Sequence, residues 1–435
     1  MEVLALILFA CIFILILFGF PVAFTLGGLS VIFGYYTLGL EFFNFLPSRI
    51  MGVMTNYVLI AVPLFIYMGI MLEKSGLAES LLETMSMLFG KLKGGLAISV
   101  IVVGALLAAS TGIVGATVIT MGLISLPTML KRNYSPELAT GTIASSGTLG
   151  QIIPPSVVLV LLGSVLNVSV GDLFAAALLP GMLLVLCYIG YVLIIAHLRP
   201  DTAPAMTQQE IDSFRQSGHF WKKVTMAFVL PFLLIIAVLG SIFAGVASPT
   251  EAAAVGALGA TLLTIGQKQL NVKVLKQVMY QTTRLTSMVF IILLGATTFA
   301  LVFRGMGGDS YLIDLIEKSN LSPNTFLLLV MVTVFIAGFF IDFIEIIFII
   351  VPVVAPIFVS YDMNLIWIGV LLAMNLQTSF LSPPFGFSLF YLKGVAPPQI
   401  TTAHLYRGIV PFVLIQLIFL LIVIVIPEIV LWVVD

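Results

Sequence analysis

Charge is what this sequence has least of. Only 9% of its 435 residues are charged, 18 basic and 19 acidic, where a soluble chain carries about a quarter. The net charge of −1, with no basic tail, leaves no electrostatic footprint for nucleic acid. Histidine is nearly absent: His197, His219 and His404 stand in or beside polar loops without metal-ligand spacing, which argues against a zinc or redox enzyme. The two cysteines, Cys11 and Cys187, fall inside apolar runs, where a thiol behaves as a small hydrophobe. No Walker motif, dinucleotide fingerprint or catalytic-triad pattern occurs, so the chain is not itself an ATP-driven pump, and no enzymatic chemistry is expected of it.

What is present is oil. Hydrophobic residues make up 61% of the chain, and runs such as 3–18, 224–246 and 408–427 predict a polytopic membrane protein of α-helices embedded in lipid. The short alternating segments of a barrel are missing. The first apolar run has Glu2 in place of a basic leader and continues past Pro21, so it is expected to be a retained span. The most polar stretch, 197–223, divides the chain. Residues 1–200 form a first half, 201–223 a cytoplasmic linker and 224–435 a second half.

A shift of about 229 residues superimposes the halves: Pro127 and the pair Pro154–Pro155 answer to Pro356 and the pair Pro383–Pro384. Segments 95–130 and 324–359 are too long for one span and short for two, since a full crossing wants about 20 residues. Each has a weak centre, Ser110–Gly115 in the first and Gly338–Asp342 in the second. They are expected to be re-entrant hairpins, with two short spans as the alternative. With five crossings per half, fifteen of the eighteen Lys and Arg fall on one side, and Arg49, Arg304 and Lys318 alone on the other. The rich side is then cytoplasmic, both termini are periplasmic, and the second half is inverted relative to the first.

Two polar passages stand inside the lipid-like sequence. GTIASSGTLGQIIPPS at 141–156 and NLQTSFLSPPFGFS at 375–388 lie within segments 136–163 and 363–391, where glycine and proline prevent a regular helix. Broken backbone at membrane depth is tolerated only where it is buried or lines a cavity. Inverted repeats with broken helices are the signature of secondary transporters. The hydroxyls of Ser145, Ser146, Thr148, Thr378, Ser379 and Ser382, with freed carbonyls, make an oxygen set suited to sodium and not to a transition metal. Thr117, Ser156, Asn375 and Gln377 are the candidate substrate contacts. Helix ends beside the breaks would attract a carboxylate; no Lys or Arg falls in this core, unless Arg304 or Lys393 reaches in from an edge. Asp342 and Glu345 fit either a helix cap or an ion contact, and Glu251 fits a helix start. The stretches 73–93, 268–284 and 305–322 are amphipathic and are expected at the membrane interface.

PTEAAAVGALGA, the run from STGIVGATVITMGLISLP to GTIASSGTLGQIIPPS, and FFIDFIEIIFIIVPVVAPI with LSPPFGFS together resemble the large membrane subunit of the tripartite ATP-independent periplasmic (TRAP) transporters. The resemblance spans essentially the whole chain. It implies an all-α, elevator-type protein of the ion transporter superfamily in the bacterial inner membrane, which imports an organic acid with sodium as coupling ion and no further cofactor. It also implies two partners, a periplasmic substrate-binding protein and a small four-helix membrane subunit, the latter separate because the chain starts with the large-subunit pattern. By that likeness one sodium site draws on Ser110, Thr111 and Gly112 with Ser145, Ser146, Gly147, Thr148 and Gly150. A second draws on Gly338 and Asp342 with Thr378, Ser379 and Ser382. Many relatives carry Ser-Gly-Ser at the first tip; here Ile113 ends the triplet and offers no hydroxyl.

Overall fold

The computed structural model describes residues 2–111, 114–206, 224–319 and 321–434. The described residues form helices and loops without a strand, as a chain with few charges and long apolar runs must when no water satisfies its backbone. Six helices are long and apolar enough to cross a membrane, or seven if the bent pair 343–360 counts as one; further apolar helices are shorter. The protein is therefore a multi-pass membrane protein of helices.

In the first half the helices are α1 (Glu2–Leu17), α2 (Val22–Leu38), α3 (Leu46–Met54), α4 (Ala61–Lys74), α5 (Leu77–Leu88), α6 (Gly95–Thr111), α7 (Val114–Lys131), α8 (Pro136–Thr148), α9 (Val157–Leu166) and α10 (Val170–Leu198). The second half has α11 (Leu230–Phe243), α12 (Pro249–Gly266), α13 (Val272–Gly305), α14 (Gly308–Lys318), α15 (Pro323–Ala337), α16 (Phe343–Ile349), α17 (Val351–Ser360), α18 (Leu365–Leu381), α19 (Phe387–Val395), α20 (Thr402–Val425) and α21 (Glu428–Leu431).

Two sets of helices pack within themselves. In one, α2 lies along α13, while α4 lies along α12 and α13. Small residues allow these close crossings: a Cβ on Gly295 would fall 2.5 Å from the Ala23 carbonyl oxygen. In the other set, α8 is enclosed by α6, α7 and α20, and α18 packs on α9, α10, α15 and α20. There Gly141 faces Gly408 so closely that a Cβ would come within 2.6 Å of the Gly408 carbonyl carbon. Contacts of α4 with α6 and of α13 with α16 join the sets.

Both long segments double back. The Leu96 N–H donates to the Tyr134 phenol oxygen at 3.3 Å, so the start of α6 meets the loop after α7. The Tyr361 hydroxyl donates to the Leu321 carbonyl at 2.8 Å, and the Phe326 and Phe358 rings lie 5.1 Å apart. The stretch 268–284 does not form a helix of its own. From Val272 it is continuous with the following span as a 34-residue helix, about 51 Å long and well beyond a hydrocarbon core of about 30 Å. It contains no proline, and its first glycine is Gly295, so nothing in the polar part stops the helix. By contrast 73–93 and 305–322 contain the short helices α5 (Leu77–Leu88) and α14 (Gly308–Lys318), each entered through a glycine with positive φ, Gly76 and Gly307.

Candidate functional site: two hairpins against two broken helices

The helix at 136–148 ends where its sequence requires. A three-residue 3-10 turn, Leu149–Gln151, follows α8, and the Pro154–Pro155 pair, which has no N–H to continue a helix, leads into α9. In the second half α18 ends at Leu381, Ser382 is extended, and Pro383–Pro384 and Gly386 lead into α19. The prolyl bonds 154–155 and 383–384 are both cis.

Glycines let the first hairpin press on the first break. A Cβ on Gly104 would lie 2.5 Å from Ser146 Cβ, one on Gly147 2.5 Å from a Val118 methyl, and one on Gly150 2.5 Å from the Ala108 carbonyl carbon. Backbone thus approaches backbone where any side chain would hold it off. Ser145, Ser146 and Thr148 are wholly buried. Their hydroxyls donate to the carbonyls of Thr142 (3.1 Å), Ile143 (3.0 Å) and Ser145 (2.9 Å). Each proton is spent on its own helix, which leaves oxygen lone pairs as acceptors for a cation on Ser145 and Ser146, while Thr148 also accepts from the Gln377 amide. Gly112 and the side chains of Ser110 and Thr111, expected to complete this set, lie outside the described residues.

The second half also brings a glycine against its broken helix. A Cβ on Gly338 would lie 2.6 Å from Ser379 Cβ. Thr378, Ser379 and Ser382 donate to the carbonyls of Met374 (2.7 Å), Leu376 (2.8 Å) and Thr378 (2.8 Å). Asp342 is the N-cap of α16: its carboxylate accepts from the Phe343 N–H at 2.6 Å, and Glu345 accepts from the Asp342 N–H at 3.2 Å, a capping box. The structure contains the cap; it bears on no ion contact by the same carboxylates. Glu251 caps α12 in the same way with Ser248.

The hairpins share a cavity of about 260 Å³, with Val114 and Gly115 of the first, Asp342 and Phe343 of the second, and Tyr391 of α19 among its walls. Ile66 of α4 and Met288 of α13 close it from the other helix set. The four candidate substrate contacts do not line it. Thr117 is buried in α7, Ser156 donates to the Gln151 carbonyl (2.9 Å), and the Asn375 amide donates to the Met331 carbonyl (2.7 Å). Gln377 turns toward the first half, its amide nitrogen 3.5 Å from the Thr148 hydroxyl.

Two participants escaped the reading of the sequence. Tyr391 carried no signal, since an aromatic inside an apolar helix is ordinary. Gln151 sits in the polar passage, wholly buried, with neither amide atom hydrogen-bonded; an amide among glycines and prolines was the available clue. Of the two edge cations, Lys393 donates to the Ile400 carbonyl and Arg304 pairs with Asp309 at 3.0 Å. Among the described residues no group of three His, Cys, Asp or Glu is placed to hold a metal.

Comparison with known proteins places the chain among transporters. Residues 9–429 match the family described as tripartite ATP-independent periplasmic transporter, DctM component. The C4-dicarboxylate TRAP transporter large permease protein DctM of Pseudomonas aeruginosa is 31% identical over 375 residues, covering 86% of this chain and 85% of that protein. The protein of the same name from Vibrio cholerae is 28% identical, covering 98% and 96%. The ectoine TRAP transporter large permease protein TeaC of Halomonas elongata is 27% identical, covering 97% and 96%. Among solved structures, the YdaH transporter of Alcanivorax borkumensis superposes with a TM-score of 0.62 at 15% identity, over 89% of this chain and 88% of that one, a likeness of fold.

Proposed function

The chain belongs to the DctM component family of tripartite ATP-independent periplasmic transporters, and on that premise we propose that it is the large permease subunit of a sodium-coupled importer of an organic acid. A periplasmic binding protein delivers the substrate, and a small membrane subunit completes the complex. The family by itself leaves the substrate open: its members include permeases named for C4-dicarboxylates and for ectoine.

The observation that carries the reading is the doubled constellation. Each half packs a hairpin on its own broken helix through a glycine, Gly104 on Ser146 and Gly338 on Ser379. The two broken helices then meet at Thr148 and Gln377, which are 229 residues apart, the offset that relates the halves. A contact between equivalent positions is what a two-fold axis through the site would produce, and it supports two inverted repeats. Hydroxyls that donate backward and present lone pairs forward suit sodium, in one site around Ser145–Gly150 and another around Gly338 and Thr378–Ser382. The elevator motion is supported by the two packing sets. The set holding both hairpins, both broken helices, α10 and α20 would move against α1–α4 and α11–α13, with the 260 Å³ cavity at their boundary. The loop charges orient the chain with both termini periplasmic.

Reconstitution tests this. The chain, the small subunit and the binding protein, incorporated together into liposomes, take up labelled organic acids from a panel when an inward sodium gradient is imposed. Uptake by the chain alone would make it a self-sufficient carrier, and uptake unaffected by collapse of the sodium gradient would remove sodium from the mechanism.

A further inference from the structure

A second cavity, of about 380 Å³, lies away from the hairpin tips, between α3 and α13 on one side and α9, α16 and α17 on the other. Its volume is that of a small-molecule site. It exists because α13 presents small side chains there, Ala296, Thr297 and Ala300, opposite Phe348 and Pro352 of the second hairpin. The walls are apolar but for a few groups, and Arg304 is the one charged residue among them. Its Nε is held by Asp309 at 3.0 Å, and no other partner for the guanidinium is found among the described residues. The side chain is 54% exposed, and its planar fork is oriented by one acid while its terminal nitrogens are left to donate. At the same cavity the Asn56 amide donates to Ser164 Oγ at 3.3 Å, which leaves the Ser164 proton uncommitted.

We propose that this cavity binds an organic monocarboxylate with an apolar body, its carboxylate on Arg304 and its body between α13 and the second hairpin. The inference rests on the transporter reading and deepens it by naming the substrate class. Asp309 already takes the Arg304 Nε, so the terminal N–H groups that remain on the fork can hold one further carboxylate. A second carboxylate on the ligand would find no second cation and at most the Ser164 hydroxyl among alanine, phenylalanine and proline, which costs more than the added contacts return. A group between the two helix sets is also well placed to receive the substrate before it reaches the inner cavity. On the orientation proposed above, Arg304 lies on the periplasmic side.

The test is equilibrium binding of labelled hexanoate to the full chain in lipid nanodiscs, with adipate and hexanamide as competitors of equal length. Hexanoate binds saturably; adipate competes at least tenfold more weakly, and hexanamide does not compete at the same concentrations. Arg304→Gln lowers the hexanoate affinity at least tenfold, and Arg304→Lys restores part of it. Ala300→Phe fills the cavity and abolishes binding with the arginine in place; since Ala300 is only half-buried, the variant is expected to fold. Absence of saturable binding, equal competition by adipate, or unchanged affinity in Arg304→Gln overturns the proposal. Because the measurement needs neither a sodium gradient nor the partner proteins, its failure leaves the uptake experiment standing, and failure of uptake leaves this result to stand or fall separately.

Discussion

Replacing Gly150 with alanine is the sharpest probe of the site. The added Cβ would sit 2.5 Å from the Ala108 carbonyl carbon, and ordinary contact begins at 3.4 Å. The Ala108 carbonyl oxygen is nearer still, so the 3-10 turn after α8 and the end of α6 must separate by at least about 0.9 Å, and both partners are backbone inside a buried set, with no flexible side chain to yield. Overpacking of a core costs about 1–3 kcal/mol, and a backbone clash belongs at the upper end. With an unfolding entropy of about 2.1 cal/mol/K per residue, 3 kcal/mol corresponds to a fall in melting temperature of about 3 °C for a chain of this size. Sodium-dependent stabilisation should fall further, because the hydroxyls of Ser145, Ser146 and Thr148 sit on the helix that is displaced. The assay is thermal unfolding of the purified protein across a sodium titration. Gly190→Ala is the control, since nothing lies within 4 Å of its added Cβ. If Gly150→Ala melts with the wild type and keeps its sodium midpoint, the close approach of hairpin and break is not part of a sodium site.

Ser146→Leu drives a branched side chain into Gly104 and is expected to abolish sodium-stimulated uptake while leaving membrane insertion intact; an unchanged sodium dependence in transport assays counts against the assignment. Asn56 and Ser164, in contact at 3.3 Å across the two helix sets, when both are changed to cysteine in a background without Cys11 and Cys187, should cross-link under oxidation and arrest uptake until a reductant is added; continued uptake by the cross-linked protein contradicts the elevator. Asp342→Ala removes an N-cap and should cost about 1 kcal/mol, whereas Asp342→Asn keeps an oxygen acceptor and should cost a few tenths, read from melting curves. Burial raises the Tyr134 phenol above its usual range, with the Leu96 N–H and Arg132 pulling it back. A raised folded-state value means the stabilisation is present at neutral pH and is lost as pH climbs through that value, so alkaline melting curves should fall less steeply for Tyr134→Phe than for the wild type.

Helix breaks and caps were legible because they depend on local chemistry. Pro154–Pro155 and Pro383–Pro384 cannot continue a helix in any surroundings, and Asp342 with Glu345, like Ser248 with Glu251, carries a cap in its spacing. The extent of α13 was not legible. A hydropathy reading stops where polar residues begin, but a helix stops only where glycine, proline or a cap stops it, and 272–294 contains neither glycine nor proline. Lys393 shows a different limit: a cation at the edge of a polar passage reads as available, yet a nearby carbonyl at Ile400 takes its ammonium.

The sequence by itself determined that this is a helical membrane protein, where its helices break, and that its polar oxygens fall into two passages at one offset. Composition and spacing are properties of the chain alone, and the bilayer leaves a polar backbone few other solutions. Only the tertiary structure decided which groups face one another: Gly150 on Ala108, Gly338 on Ser379, Gln377 on Thr148, and Arg304 at a cavity with mostly apolar walls. Those pairings join residues far apart in the chain. They depend on how closely two backbones approach and on which local partner claims each polar group first, and neither is written in the order of the residues.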